Sequence, residues 1–360
     1  ARILEYTAAI AARGRRVLGV ARAEFHGSDF PDRPDGFTFS FLGLIALADP
    51  VRPTVPQALQ ACYAAGIRVV MITGDYPGTA QAIAAEIGLR SPGGVSTGEE
   101  LQRLDDAQLR ARVATVSVFA RMLPEQKLAL VEALKANGEI VAMTGDGVND
   151  APALKASHIG VAMGGRGTDV AREAASLVLL EDDFASIVAT IKLGRRIYDN
   201  IRHAMSYLIA VHVPTAGMAL LPLLFGWPLV FFPVHIVFLE FVIDPACSIA
   251  FEAEPGHPGA MRRPPRDPKQ PLLGSQLLGR ALMQGVSVLA GVAVLYGLVL
   301  DHGFAEARAR AMAFTAMVLG NALLILSNRS LTRSMLVTLT MPNRALWWVV
   351  AGALGGLALA

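Results

Sequence analysis

Two different hydrophobic patterns divide the 360-residue chain. Through residue 203, short apolar runs of strand length alternate with helical stretches: RRVLGVA at 15–21, FSFLGLIAL at 39–47, IRVVMI at 67–72, VSVF at 116–119, EIVAM at 139–143, HIGVAM at 158–163 and SLVLL at 176–180. Buried runs of this length, separated by helices, predict a mostly parallel sheet covered by helices, with ligands at the carboxyl ends of its strands. From Ala204 onward the pattern becomes long and uncharged. Runs near 204–224, 229–251, 277–300 and 309–326 have about the 20 residues that a helix needs to cross a bilayer. A fifth apolar run occupies 346–360, and a short turn at 225–228 separates the first two spans. The basic helical segment KLGRRIYDNIRH at 192–203 reads as a stalk entering the membrane.

Composition agrees with two solvents. With 53% hydrophobic and 17% charged residues, and a mean hydropathy of +0.45, the chain is too apolar for an ordinary soluble enzyme. The net charge of +2 comes from dispersed Lys and Arg, which gives nucleic-acid binding no support. Cys62 and Cys247 are the only cysteines, so neither a disulfide framework nor a CxxC metal site can be drawn. Arg195, Arg196 and Arg202 precede the first span, Arg262, Arg263, Arg266 and Lys269 follow the second, and Arg329, Arg333 and Arg344 follow the fourth. By the positive-inside rule all three groups are cytoplasmic. Arg308 and Arg310 fall on the opposite side, where snorkelling accommodates them. The chain opens in mid-helix without an initiator Met or a leader, and closes inside an apolar run, so truncation at both ends is expected.

Two strands end alike, VVMITGD at 69–75 and VAMTGD at 141–146. In each, Gly lets the backbone approach an anion, Thr can donate a hydroxyl hydrogen bond, and Asp can hold a cation or orient a neighbour. One Thr-Gly-Asp after a strand is ordinary turn chemistry. Two copies, each ending a core strand, point to a site.

Four segments, ADPVRP at 48–53, MITGDYPGTAQAIAAEIGL at 71–89, FARMLPEQK at 119–127 and MTGDGVNDAPALKASHIGVAMG at 143–164, resemble the phosphorylation domain of P-type ATPases and stand in that family's order. That domain is a Rossmann-like α/β fold of the haloacid dehalogenase superfamily. The resemblance implies phosphoryl transfer, in which positioning and charge neutralisation carry catalysis, with Mg2+ as cofactor and ATP as substrate. Thr73 and Gly74 are then expected to hydrogen-bond the phosphoryl oxygens, Lys127 to neutralise their charge, and Asp75 to orient neighbours. Asp146 and Asp150 are expected to hold magnesium, with Asn149 completing the shell. Taken alone, Lys127 on the helix PEQKLALVEAL is a solvated lysine; its place between the two Thr-Gly-Asp strands is what singles it out. GRRVLGVA resembles the last strand of the family's nucleotide-binding domain, and Arg16 and Arg121 are expected to face the nucleotide. The phosphorylated Asp of the family lies in Asp-Lys-Thr-Gly-Thr, a motif absent from these residues. The resemblance thus implies a fragment that is inactive alone, divided into 1–24 (tail of the nucleotide-binding domain), 25–190 (phosphorylation domain), 191–203 (stalk), 204–255 (two membrane helices), 256–275 (cytoplasmic loop) and 276–360 (further all-α membrane region).

Within the second span, Glu240 and Asp244 are four residues apart and share a helical face, with Pro245 next to release backbone carbonyls. Charge inside lipid is costly and marks function. The span resembles the sixth membrane helix of P-type cation pumps, where an Asp at the position of Asp244 helps bind the ion; Glu240 joins it as the second cation ligand. Calcium pumps carry Asn where Glu240 stands, and the preceding span offers His212 and Thr215 where they offer an amide and an acid, which weakens calcium without removing it. MRRPPRDPKQPLL at 261–273 resembles the following loop of calcium and sodium/potassium-type pumps. The expected protein is a multi-pass membrane protein of the plasma membrane, phosphorylation domain in the cytoplasm, with ATP, the cation, the bilayer and the remaining pump domains as partners. The alternatives are a membrane-anchored phosphatase of the same superfamily and a non-catalytic regulatory relative; lipid transport carries low weight.

Overall fold

The computed structural model describes residues 2–25, 31, 33–48, 50–330 and 335–359, without the side chains of 2, 16, 335, 336 and 359. The side chain of Arg16, Asp49 of the ADPVRP segment and Arg333 therefore lie outside the described residues. The chain forms two units, Ala1–Thr190 with Met261–Pro264, and Ile191–Ala260 with Pro265–Ala360.

In the first unit, α1 (Arg2–Ala11) leads into β1 (Arg16–Arg22), which pairs with β2 (Ser40–Leu47). This pair is antiparallel, running from Arg16 opposite Leu47 to Arg22 opposite Ser40 with an irregularity at Val20/Ala21. The remaining elements alternate: α2 (Val55–Ala64), β3 (Met71–Ile72), α3 (Pro77–Ile87), β4 (Val95–Thr97), α4 (Gly98–Leu101), α5 (Asp106–Thr115), β5 (Val118–Ala120), α6 (Pro124–Ala136), β6 (Ala142–Gly145), α7 (Ala151–Ala156), β7 (Ile159–Met163), α8 (Asp169–Ala174) and β8 (Leu177–Leu179). They build two parallel three-stranded sheets, ordered β3-β5-β4 and β6-β7-β8. Central β5 is buried on both faces: Val118 and Ala120 join Leu59, Ala80 and Ala84, while Phe119 points the other way toward Val113, Met122 and Leu130. Such two-sided burial is why this strand reads as continuously apolar.

Helix ends follow local chemistry. Asp105 caps α5 by accepting from Gln108 N (2.8 Å) while Gln108 reaches back to Asp105 N (3.1 Å). Pro77 and Pro124 open α3 and α6, where a missing N–H costs nothing. Cys62 is 2% exposed, and burial pushes its thiol above the ordinary range, so it acts as core.

The second unit holds the apolar helices. α9 (Phe184–Phe225) begins in the first unit and continues into the second; α10 (Pro233–Pro245) runs into a π-helical turn at Ala246–Ala250; α11 (Ser275–Asp301), α12 (Glu306–Asn328), α13 (Met335–Leu339) and α14 (Arg344–Leu359) follow. Four helices among the described residues, Phe184–Phe225, Pro233–Ala250, Ser275–Asp301 and Glu306–Asn328, are long and apolar enough to cross a membrane; Arg344–Ala358 is apolar but shorter. Their contacts use small residues. A Cβ on Gly285 of α11 would lie 2.5 Å from the carbonyl oxygen of Ala210 in α9, and one on Gly217 would lie 2.4 Å from Leu289. Close backbone approach of this kind replaces the hydrophobic driving force that lipid removes. Arg310, out of place in the charge pattern, donates from Nε to Leu229 O (2.9 Å) and stacks over Phe232.

Candidate phosphoryl-transfer and cation sites

The first Thr-Gly-Asp is fixed to β5 and the loop beyond it. Thr73 N donates to Phe119 O (2.9 Å), Met122 N to Thr73 O (3.1 Å), and Arg121 N to Asp75 O (3.0 Å). Thr73 Oγ1 donates to Asp75 Oδ2 (2.9 Å) and accepts from Asp75 N (3.1 Å), so Asp75 orients the threonine hydroxyl. Gly74 is exposed at the tip. Arg121 has φ 52°, alone among the described non-glycine residues in that region. Its carbonyl crowds Gly98, where a Cβ would sit 2.6 Å away, and Gln126 Nε2 donates to Gly98 O (2.9 Å). A left-handed, exposed arginine held by its surroundings is the kind of strain that collects at functional loops.

The second Thr-Gly-Asp joins this assembly through a salt bridge. Lys127 Nζ lies 2.6 Å from Asp150 Oδ1, with the two side chains 18% and 10% exposed, and Gly147 N donates to the other oxygen (3.3 Å). Gly145 makes room for the pair, since a Cβ there would come within 2.5 Å of Asp150 Cβ. Thr168 N donates to Asp146 O (2.8 Å), which fixes the backbone at Asp146 while the residue stays exposed; Asn149 is exposed as well. Thus Thr73 and Asp75 form one bonded cluster, Lys127 and Asp150 a second, and α6 links them through the 121–127 turn. Gly74, Asp146 and Asn149 stand open to solvent. No group of three or more His, Cys, Asp and Glu able to hold a metal occurs among the described residues. Magnesium does not need one, because it is typically held by one or two carboxylates together with water and substrate phosphate. The exposed Asp146 fits that mode, while the Asp150 oxygens are bonded to Lys127 and to Gly147 N.

Sequence reasoning missed a tie at the start of α9. Asp183 Oδ1 accepts from Thr54 Oγ1 (2.9 Å) and from Ala185 N (3.1 Å). These bonds, the Ala185 N–H foremost, hold its carboxyl below the usual range. Asp182 accepts from Gly165 N (3.0 Å) and Arg166 N (2.8 Å). Asp-Asp immediately before a helix is the legible signal.

In the second unit, Glu240, Asp244 and Ser248 recur every four residues and are all exposed within these 360 residues. The expected release of backbone by Pro245 takes a specific form: α10 continues through the proline into the π turn, with Phe251 N donating to Ala246 O (3.1 Å). Ser248 Oγ donates to Asp244 O (2.7 Å). His212 and Thr215 bond within their own helix, Nδ1 with Leu208 O (2.7 Å) and Oγ1 to Val211 O (2.9 Å). Arg329, read from sequence as a charge at a membrane end, is 2% exposed and paired with Glu254, itself 2% exposed, at 2.5 Å.

The chain thus carries an α/β unit that ends two strands in Thr-Gly-Asp, with a lysine–aspartate pair between them, and a set of membrane-length helices, one of which bears Glu240 and Asp244. Residues 6–158 match the family model for haloacid dehalogenase-like hydrolases, and residues 228–360 that for the C-terminus of cation transporting ATPases. The chain is 41% identical over 359 residues to the probable cation-transporting ATPase F of Mycobacterium tuberculosis, covering 98% of this chain and 39% of that protein. It is 40% identical to the cation-transporting ATPase pma1 of Synechocystis (91% of this chain, 37% of the relative) and 39% identical to a calcium-transporting ATPase of Bacillus subtilis (90% and 37%). The chain belongs to the cation-transporting P-type ATPases and is a multi-pass membrane protein. It spans less than two-fifths of the length of these relatives.

Proposed function

We propose that this chain is the phosphorylation-domain and membrane part of a pump that drives a cation across the plasma membrane through an aspartyl-phosphate cycle, phosphorylation domain in the cytoplasm, calcium being the first ion to test. The observation that carries the reading is the Lys127–Asp150 pair behind Gly145, because it presents a lysine ammonium beside an aspartate-bearing loop at the edge of the sheet. Lys127 neutralises phosphoryl charge, with Asp150 holding its ammonium in place. Thr73 donates its hydroxyl and Gly74 its N–H to phosphoryl oxygens, and Asp75 sets the threonine rotamer. Asp146 holds Mg2+, with Asn149 and Asp150 completing the surroundings; the ion supplies neutralisation of phosphate charge. Arg121 faces ATP, a role that the family resemblance gives Arg16 as well.

The phosphorylated Asp is outside these residues, so residues 1–360 alone are expected not to hydrolyse ATP. In the membrane, Glu240 and Asp244 supply carboxylate ligands to the cation. A phosphatase anchor has no use for two exposed acids in a membrane helix, which is why the pump is preferred to the phosphatase and regulatory readings.

The test expresses the complete reading frame in vesicles and measures ATP hydrolysis against calcium, magnesium, manganese, sodium, potassium and protons. Stimulation by one ion, lost in Asp244→Asn, is expected. Hydrolysis indifferent to every ion, or a frame without a phosphorylatable Asp upstream, moves the assignment to a phosphatase or regulatory protein.

A further inference from the structure

We infer that the buried Glu254–Arg329 pair, with Asn343, positions the cation-binding face of α10, acting through the π turn rather than by touching the ion. The inference rests on reading Glu240 and Asp244 as the cation ligands.

Four side chains grip the ten residues after Asp244. Asn343 Nδ2 donates to Ala250 O (2.8 Å) and to Glu254 Oε1 (2.9 Å). Asn200 Nδ2 donates to the carbonyls of Glu252 and Glu254 (both 3.1 Å), and Arg196 Nε to Glu254 O (2.8 Å). Arg329 spans the Glu254 carboxylate, Nε to Oε1 at 2.5 Å and NH2 to Oε2 at 3.3 Å, and spends its other N–H groups on Thr338 O and Met341 O. The far end of α10 is held by the same neighbour, α12: Phe314 meets His235 (4.8 Å between centroids) and Phe238 (5.5 Å), and Arg310 covers Phe232. Helix α12 and the residue after it therefore fix α10 at both ends, while Glu240, Asp244 and Ser248 between them stay exposed.

A π turn holds one residue more than an α turn, and each α-helical residue turns about 100°. With both ends fixed, the turn at Ala246–Ala250 sets which way Asp244 and Glu240 face. Converting it to α-helix would rotate that face by about 100° relative to the gripped end. A strained turn persists only where its surroundings over-determine it. Here the clamp supplies that constraint, through side chains of α9, of the residue following α12, and of the residue preceding α14. Arg329 and Glu254 are buried too deeply to be explained by membrane topology alone, since the positive-inside rule needs only a charge near the surface.

The test uses the complete reading frame in membranes, with a calcium titration of ATP hydrolysis and, separately, phosphorylation by inorganic phosphate without calcium. Glu254→Gln and Asn343→Ala are expected to raise the half-saturating calcium concentration at least tenfold, while the maximal rate and phosphorylation by phosphate stay within twofold. Arg329→Lys keeps the charge but loses the fork, and is expected to fall between them and wild type. A half-saturating concentration within twofold of wild type in Asn343→Ala overturns the inference; that variant leaves no buried charge unpaired, so it serves if Glu254→Gln does not accumulate. Rates that fall with half-saturation unchanged overturn it too, as they mark a merely structural pair. Asp244→Asn is run alongside. If that variant leaves calcium dependence untouched, the cation-site reading fails and the positioning role falls with it; if it shifts while Asn343→Ala does not, only the positioning role is lost.

Discussion

Replacing Lys127 by methionine keeps the volume of the side chain and removes its charge. At 2.6 Å, with an effective dielectric constant of about 20, the attraction to Asp150 amounts to about 6 kcal/mol before desolvation is counted. Both side chains are less than a fifth exposed, so screening by solvent is small. Removing one partner of a buried pair costs roughly 3 kcal/mol, because the other charge is left behind with, in this case, only the Gly147 N–H at 3.3 Å. If the same ammonium neutralises the phosphoryl group, a loss of that size in the transition state slows phosphorylation on the order of 100-fold. The assay is phosphoenzyme formation from radiolabelled ATP in membranes carrying the complete protein. Lys127→Met, Asp150→Asn and the double variant form a cycle, and the two effects are expected to be strongly non-additive. Phosphorylation within threefold of wild type in Lys127→Met, or simple additivity, refutes the reasoning.

Gly145→Ala puts a Cβ 2.5 Å from Asp150 Cβ and 2.9 Å from its Cγ; overpacking of about 1–3 kcal/mol should appear as lower thermal stability, together with loss of phosphoenzyme. Arg121→Gly relieves a left-handed backbone at φ 52°, so melting should rise by the equivalent of about 1 kcal/mol while the half-saturating ATP concentration increases; unchanged ATP dependence removes Arg121 from the nucleotide site. Asp183 has a depressed folded-state carboxyl, so its contribution is present above the unfolded value near 3.9 and is lost as pH falls through the folded one. The stability difference between wild type and Asp183→Asn, followed by thermal unfolding, should be flat from about pH 7 to 5 and shrink below about pH 4.

The sequence foretold the architecture wherever burial repeats at a fixed period. Strand β5 was legible because its side chains meet apolar neighbours on both faces, and the membrane runs because they stay apolar over the length of a span. β4 was not: Val95-Ser96-Thr97 offers one apolar residue, and its identity as a strand comes from pairing with β5. β3 is shorter than its apolar run of 67–72 because α5 continues to Thr115, leaving its neighbour only a few residues with which to pair. The antiparallel β1–β2 pair likewise depends on partners that a one-dimensional pattern does not specify. At the candidate site, residue types and order singled out Thr73, Lys127 and Asp150, whereas the Lys127–Asp150 bond and the backbone ties to Arg121 and Met122 come from tertiary contact. Arg329 illustrates the limit most clearly. Its charge and position suit a membrane border, and only the fold reveals Glu254, seventy-five residues earlier, as its partner.

Helix α9 has 42 residues, which at 1.5 Å per residue gives a rod of about 63 Å, roughly twice the thickness of a hydrocarbon core. Its two prolines, Pro214 and Pro222, both fall in the apolar half, so the stretch from Phe184 to Val213 keeps an unbroken hydrogen-bond ladder free of proline hinges. Stiffness is therefore unequal along the helix, greatest over the proline-free turns and least beside Pro214 and Pro222.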